Sequence, residues 1–211
     1  MRESGLFLVY ANPGCDVGWK LHVVKPPGLS IQNREFPESY KKLVSTLLTN
    51  RVPHKIVKSI LALAEMESRT EQIGKFITIY PLNATQMMRV LEAVESTIQD
   101  DFEARAQTAA GDLSVGSRGL VGARWGGLTS PFTVDVRNNV VMDDRSRPYP
   151  DWIRNPFDPL SKGKDVWLRF KDDEALVNQL EHVAVPQARR SLTFEELSGE
   201  ISPPVLSQGA E

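Results

Sequence analysis

WKLHVVK (residues 19–25) is the stretch of sequence that decides the fold, because its side chains alternate in character with a period of two. Lys20 and His22 fall on one side of an extended chain, and the apolar residues that alternate with them fall on the other. The Pro-Pro-Gly that follows at 26–28 ends the strand. The pattern predicts a β-strand with one face in a hydrophobic core and a second face that carries a lysine and a histidine.

Segments on either side of this strand alternate between helical and extended patterns. In 38–50 the apolar residues recur at i, i+3, i+4 and i+7, which predicts an amphipathic helix. A second helix is predicted from an N-cap at Asn83 to about residue 99. β-branched and aromatic residues predict further strands over 51–58, 75–81 and 119–125. Because helices and strands alternate and strands then dominate, we expect an α+β fold with a central, mostly antiparallel sheet and flanking helices.

Proline and asparagine mark where some of these strands begin or turn. Pro53 cannot donate a hydrogen bond to a neighbouring strand, so either 51–58 is an edge strand or Pro53 precedes the strand proper. Residues 133–143 are interpreted as a hairpin that turns on Asn138 and Asn139. Both signals concern local geometry and leave the order of strands open.

The last third of the chain differs from the rest in its amino-acid composition. RPYPDWIRNPFDPL (147–160) is rich in proline and must be irregular, with Tyr149, Trp152 and Phe157 as its anchors on the rest of the protein. The C-terminus is rich in proline, serine and glycine. We predict one domain over 1–185 and a flexible tail over 186–211.

Composition and charge exclude several classes of protein. A chain of 211 residues with 41% hydrophobic and 25% charged residues is typical of one globular domain. A formal net charge of −2 does not suggest a partner such as nucleic acid or an anionic membrane. One cysteine and three histidines exclude a zinc site built from repeated cysteine pairs. No apolar run reaches about 18 residues and no signal peptide is recognisable, so we expect a cytoplasmic protein.

Lys20 and His22 are the most informative polar pair. Side chains two apart on a strand lie about 7 Å from each other, close enough to act on one small substrate group. A solvent-facing strand that happens to carry a lysine and a histidine would give the same pattern, so the pair alone decides nothing. His54 and Lys55 are adjacent, so on a strand they point to opposite faces and only one of them can line a site.

Other candidate residues and motifs carry less information. No GxSxG, P-loop, GxGxxG or HExxH motif occurs, so no nucleotide site or kinase apparatus is recognisable. Cys15 lacks a neighbour that would activate it as a nucleophile. Arg124 lies in a glycine-rich stretch, GLVGARWGG (119–127), where small neighbours let a ligand approach the backbone. Most other arginines, Arg145 and Arg147 among them, are interpreted as solvated surface charge.

Five segments taken in order resemble a known enzyme family: WKLHVV, VPHKIVKS, GKFITIYP, DLSVGSRGLVGARWGG and DDRSRPYPDWIRNPF. They are similar to the N-terminal phosphoserine/phosphothreonine lyase domain of class III and class IV lanthipeptide synthetases, which is itself similar to type III effector phosphothreonine lyases. The resemblance covers about residues 5–160, and GKFITIYP is its most specific block. It implies a phosphothreonine-lyase-like fold and elimination of phosphate from phosphoserine or phosphothreonine, without a metal or organic cofactor, to give dehydroalanine or dehydrobutyrine.

The resemblance also assigns catalytic roles. Lys55 matches the general base that takes the Cα proton, His22 matches the general acid that protonates the departing phosphate, and Lys20 matches the lysine that stabilises the enolate oxygen. A lysine base must be neutral to act, so its pKa must lie well below about 10.4.

Phosphate binding is assigned by the same resemblance. Arg124 matches an arginine that would hold the phosphate with two parallel hydrogen bonds. Arg69 falls at the spacing of a second phosphate-binding arginine, and Asp112 matches an aspartate that would orient a basic partner. Lys75 and Tyr80 lie in the GKFITIYP block, although an alignment slip of one residue would exchange the strand face that each uses.

The chain departs from the family pattern in ways that bear on partners. Val24 and Lys25 replace the usual Ser-Ala after the histidine strand, and RWG replaces RYG. The kinase and cyclase domains that follow in the synthetases are not part of this sequence. We therefore expect a phosphorylated precursor peptide as substrate and separate kinase and cyclase proteins as partners, with no nucleic acid and no membrane.

Two alternatives remain at this point. An effector lyase that acts on a host kinase would favour a disordered secretion segment at the N-terminus, whereas strand-like sequence begins here by Leu6. A catalytically inactive subunit that binds phosphopeptides is the other alternative, and retention of Lys20, His22 and Lys55 together argues against it.

Overall fold

A computed structural model describes residues 1–157 apart from 12, 14–16, 34–35, 70–71, 129–130, 136, 138 and 154. The predicted domain limit at residue 185, the tail over 186–211, Cys15 and the turn residue Asn138 lie outside the described residues. None of the helices described is long and apolar enough to cross a membrane.

The described residues form strands and helices that alternate at first, after which strands dominate. In chain order they are β1 (Arg2–Ser4), β2 (Phe7–Tyr10), β3 (Val17–Val24), α1 (Glu38–Thr49), β4 (His54–Val57), α2 (Ile60–Glu67), β5 (Lys75–Ile79), α3 (Ala84–Ile98), β6 (Leu113–Val115), β7 (Val121–Gly127), β8 (Phe132–Val134) and β9 (Val140–Met142). Seven strands form one antiparallel sheet in the order β1-β2-β4-β5-β3-β7-β6, and β8 and β9 form a separate hairpin. The predicted α+β class with a central antiparallel sheet and flanking helices is confirmed.

Local signals in the sequence correspond to the observed element ends. The Asn83 side chain caps α3 by accepting a hydrogen bond of 2.8 Å from the Gln86 amide. Pro53 lies directly before β4, which pairs with β2 on one side and β5 on the other, so the proline precedes the strand and does not mark an edge. Helix α2 was not predicted, because its first four residues are consecutively apolar and show no helical period.

The helices and the sheet share one hydrophobic core. The residues of β3 that face it are Trp19, Leu21 and Val23, each buried, and they belong to one cluster with the apolar side chains of α1, α2 and α3. The predicted anchoring of the proline-rich segment is confirmed, because the rings of Tyr149 and Phe157 lie 5.5 and 6.0 Å from the Trp19 ring. Lys20 and His22 lie on the opposite face of β3, and Val24 at the end of the strand is buried in the core.

Candidate active site

Strand register brings polar side chains from three neighbouring strands into one row across the sheet, which a glycine of a fourth strand extends. Lys55 of β4 is opposite Thr78 of β5, Thr78 is opposite His22 of β3, and His22 is opposite Gly122 of β7. Residues that are directly paired in neighbouring strands point to the same face. Lys20 extends the row into a patch, since it is two residues from His22 and opposite Arg124.

This patch forms the floor of a cavity of about 280 Å³. Most of the site residues predicted from the sequence line it, namely Lys20, His22, Lys55, Lys75, Tyr80 and Arg124. The lining also contains Gln72, Thr78 and Arg145, and no carboxylate of the described residues is part of it. The cavity is therefore suited to an anionic ligand.

A β-bulge explains how Lys75 and Thr78 both reach the cavity. Residues three apart on a regular strand point to opposite faces. In β5, Ile77 pairs with Val23 and Lys75 pairs with Val24, so Phe76 is an extra residue on this strand. Phe76 and Ile77 are both buried in the core, and Lys75 returns to the cavity side.

His22 is held by Asp112, whose Oδ2 lies 2.6 Å from the His22 Nδ1. An ionised carboxylate only accepts hydrogen bonds, so Nδ1 carries the proton and Nε2 is the ring nitrogen left for the cavity. Gly122 makes room for this contact, because a Cβ there would lie 2.7 Å from the Asp112 Oδ2. Burial lowers the pKa of His22 to about 4, the Asp112 carboxylate opposes that change, and Lys75 and Lys20 lower the pKa further. The predicted orienting role of Asp112 agrees with this geometry.

Lys55 and His54 lie on opposite faces of β4, as the sequence predicts for adjacent strand residues. Lys55 lines the cavity, with its Nζ 4.1 Å from the centre of the Phe7 ring. Burial lowers the pKa of Lys55 to about 8, and the charges of Lys75 and Arg145 lower it as well. His54 is fully buried on the other face, where its Nδ1 lies 2.7 Å from the Val52 carbonyl.

Lys20 shares the lowered pKa of Lys55. Its Nζ donates a hydrogen bond of 2.7 Å to the Gly127 carbonyl. Burial lowers the pKa of Lys20 to about 8, Asp143 opposes the change, and the positive charge of Arg124 adds to it. Two cavity lysines therefore exchange protons much nearer to neutral pH than an ordinary lysine does.

Arg124 lines the cavity, but its guanidinium is engaged within the protein. Nη1 donates to the carbonyls of Gly111 (3.2 Å) and Arg145 (3.0 Å), and Nη2 donates to the Asp144 carbonyl (2.7 Å) and to Asp143 Oδ1 (3.4 Å). These bonds account for the four Nη hydrogens, so the geometry does not match the prediction that Arg124 holds a phosphate with two parallel hydrogen bonds.

The glycines on either side of Arg124 in the strand, Gly122 and Gly126, make room for side chains of the protein itself. A Cβ at Gly126 would collide with the Asp143 carboxylate, as one at Gly122 would with Asp112. The space beside both glycines is therefore filled by carboxylates of this chain. The sequence predicts that a ligand approaches the backbone there, and the structure places Asp112 and Asp143 in that space instead.

Comparison with known proteins identifies the family. The family model described as RamC, N-terminal domain, matches residues 7–161. The chain belongs to the RamC N-terminal domain family. No curated protein matches the chain. The match extends from β2 past Tyr149, so all the cavity residues of this RamC N-terminal domain lie inside it.

Two predicted site residues do not line the cavity: Asp112, which contacts it through His22, and Arg69, which the fold does not bring there. Arg69 follows α2, and its Nη2 lies 3.3 Å from Glu65 Oε1 one turn back on the exposed surface. Tyr80 lines the cavity as predicted, and burial raises the pKa of its hydroxyl, which keeps it a neutral hydrogen-bond donor. Arg145, predicted to be solvated surface charge, is indeed exposed, and it also lines the cavity.

The cavity combines a potential base, a potential acid and several cations. Lys55 and His22 lie on strands separated by one intervening strand, so their backbones are about 10 Å apart. Both side chains line the same cavity. Among the described residues, no cluster of three or more His, Cys, Asp or Glu side chains suited to a metal ion occurs.

Proposed function

We propose that this protein is a phosphoserine/phosphothreonine lyase acting on a ribosomally made precursor peptide. Membership of the family indicates a lanthipeptide-related biosynthetic role. The observation that carries the finer proposal is one cation-lined cavity, faced by a lysine whose pKa is lowered to about 8 and by a histidine held by a buried aspartate. The order of segments that resembles the lyase domains of lanthipeptide synthetases supports the same activity.

The proposed reaction is a β-elimination that needs only these side chains. Neutral Lys55 takes the Cα proton of the phosphorylated residue, the electron pair of that C–H bond forms the Cα=Cβ double bond, and the Cβ–O bond to phosphate breaks. His22 Nε2 gives a proton to the departing phosphate. Lys20 stabilises the negative charge that develops on the carbonyl oxygen next to Cα. The products are inorganic phosphate and a dehydroalanine or dehydrobutyrine residue.

His22 must carry a proton on both ring nitrogens to act as the acid, and its lowered pKa leaves it neutral in the free protein near pH 7. A bound phosphate dianion places negative charge beside the ring, which favours the protonated form. We therefore expect substrate binding itself to raise the pKa of His22. The buried Asp112 would keep the ring oriented in both protonation states.

The proposal requires partners with defined chemistry. A kinase must first phosphorylate the serine or threonine of the peptide. The product is an electrophilic alkene, which a cyclase can join to a cysteine thiol. Kinase and cyclase are therefore the proposed partners.

Mass spectrometry distinguishes this activity from hydrolysis. The full chain is incubated with a synthetic peptide that carries one phosphoserine or phosphothreonine, and Lys55→Ala serves as the control. We expect the loss of phosphoric acid, which leaves a peptide lighter by one water than the unphosphorylated peptide. A product with the mass of the unphosphorylated peptide would identify a phosphatase and contradict the proposal, as would an unchanged substrate.

A further inference from the structure

Arg145 occupies the cavity wall although its sequence context suggests an ordinary surface turn. It follows β9 and lines the same cavity as Lys20, Lys55 and Lys75. Its charge acts on two of these lysines, since it lowers the pKa of both Lys20 and Lys55. The Arg145 guanidinium is thus close to the groups that would surround a bound anion.

The backbone of Arg145 is held in place by β7. The guanidinium of Arg124 donates to the carbonyls of Asp144 and Arg145 at 2.7 and 3.0 Å. The Trp125 amide donates to the Pro148 carbonyl at 2.8 Å, which attaches the far end of the turn. A Cβ at Gly111 would collide with the Arg145 carbonyl, so that glycine keeps the space in which the turn lies.

The guanidinium of Arg145 differs from its neighbours in having no carboxylate partner among the described residues. Arg124 lies 3.4 Å from Asp143, Arg147 lies 3.5 Å from Asp151, and Arg69 pairs with Glu65. Arg145 is an exposed residue of the cavity wall, so an anionic ligand can reach it and would supply the opposite charge.

We infer that Arg145 binds the phosphate of the substrate, and that Arg124 is a positioning residue that holds Arg145 in the cavity wall. This inference rests on the proposed function for the identity of the substrate. The planar guanidinium of Arg145 can meet two phosphate oxygens with parallel hydrogen bonds, which Arg124 cannot do while its Nη hydrogens are engaged. Lys75 and Tyr80 lie in the same cavity and complete the phosphate site.

Binding of a phosphoserine peptide and its unphosphorylated counterpart tests the role of Arg145. Isothermal titration calorimetry is carried out on the full chain with Lys55→Ala in every sample, so that the substrate is not consumed. We expect Arg145→Ala to weaken binding of the phosphopeptide roughly 10- to 100-fold and to leave the unphosphorylated peptide unchanged. Arg145→Lys should lose less, because it keeps the charge but not the planar fork.

Arg147→Ala is the matched control, because Arg147 lies two residues away and pairs with Asp151 outside the cavity. It should bind both peptides like the parent. An Arg145→Ala protein that binds the phosphopeptide like the parent, or that loses affinity for both peptides equally, overturns the inference.

The role of Arg124 is tested by combining variants. Because Arg124 acts through Arg145, Arg124→Lys should weaken phosphopeptide binding in the parent and add little in the Arg145→Ala background. Losses that multiply would show that Arg124 acts independently of Arg145, which contradicts its positioning role. If Arg124→Lys does not fold, Gly111→Ala takes its place with the same expectation, since it disturbs the Arg145 carbonyl without removing a charge.

Activity measured in parallel separates the two proposals. If the unmutated chain prefers the phosphopeptide through Arg145 but eliminates no phosphate, the lyase proposal fails and the Arg145 site stands. If the unmutated chain eliminates phosphate and Arg145→Ala has the same kcat/KM, the lyase proposal stands and the Arg145 site fails.

Discussion

The two faces of the central sheet use basic residues in opposite ways, and β4 shows the difference in two consecutive positions. His54 is 0% exposed, with the Tyr10 ring 5.3 Å away and the Val52 carbonyl as its hydrogen-bond partner. Lys55 points to the other face and lines the cavity. Burial lowers the pKa of both side chains, but only Lys55 is placed where a ligand could use the resulting neutral base.

β7 extends the same comparison. Its core-side residues Val121, Ala123 and Trp125 are buried apolar groups. Its cavity side carries Gly122, Arg124 and Gly126, and the two glycines leave space for the carboxylates of Asp112 and Asp143. One face is stabilised by apolar burial and the other is organised by charge, so we expect substitutions on the first to change stability and on the second to change activity.

The largest effect is expected for Lys55→Ala on the cavity face. Removal of the proposed general base should lower the rate of the proposed phosphate elimination by about 10²–10⁴-fold and leave the fold intact. His22→Gln, which keeps a donor near Asp112, should lose activity to a similar extent. Elimination rates measured by mass spectrometry check both.

Lys58→Ala is the control for this pair, because Lys58 lies in the next segment and pairs with Glu3 on the surface. It should retain full activity. A Lys55→Ala protein as active as the unmutated chain would remove Lys55 from the mechanism.

On the core face, Leu21→Ala should lower the free energy of unfolding by about 2–5 kcal/mol, because Leu21 is fully buried. Leu21 lies between Lys20 and His22 in the sequence, but its side chain points to the opposite face of the strand. Leu61→Ala makes the same chemical change at a side chain that is 69% exposed and should cost less than about 0.5 kcal/mol. Urea denaturation measures both. Equal losses of unfolding free energy would mean that burial at Leu21 does not stabilise the fold more than the exposed position of Leu61 does.

Acid should destabilise the protein partly through His54. Its pKa is lowered to about 4 by burial, while an unfolded histidine has a pKa of about 6.5. The unfolded state therefore binds more protons between these values, and stability present above about pH 6.5 is lost as the pH falls towards 4. The loss is roughly 2–3 kcal/mol.

His54→Phe removes this titration without touching the cavity. Denaturation midpoints at pH 7 and pH 4.5 should differ less for His54→Phe than for the unmutated chain. An unchanged acid sensitivity would show that His54 does not remain neutral in the folded protein.

Phosphate should distinguish the two buried histidines. A phosphate dianion in the cavity should raise the pKa of His22 by about one pH unit and leave that of His54 unchanged, because the sheet separates His54 from the ligand. NMR titration of the histidine ring protons, with and without inorganic phosphate, measures this. Equal responses from both histidines would place the anion somewhere other than the cavity.

A chelator should have no effect on elimination, since the proposed steps use only lysine, histidine and arginine side chains. Rates with and without EDTA provide the measurement. Loss of activity with EDTA and recovery with a divalent metal would favour a metal-dependent phosphatase over the lyase.

Local patterns in the sequence were enough for the elements that depend on neighbouring residues. The alternation around Lys20 and His22 predicted β3 and its two faces, the Asn83 cap predicted the start of α3, and the adjacency of His54 and Lys55 predicted that one would leave the site. The family resemblance then selected cavity residues that lie on separate strands. These signals work because side-chain direction in a strand or helix is set within a few residues.

Tertiary structure decided what depends on register and on distant partners. The bulge at Phe76 puts Lys75 on the cavity side, and no pattern in the neighbouring sequence predicts this bulge. Arg124 is engaged by acceptors 13 to 21 positions away in sequence, and Arg145 reaches the cavity because those bonds hold its turn. The lowered pKa values of Lys20 and Lys55 arise mainly from burial, which exists only once the sheet has assembled.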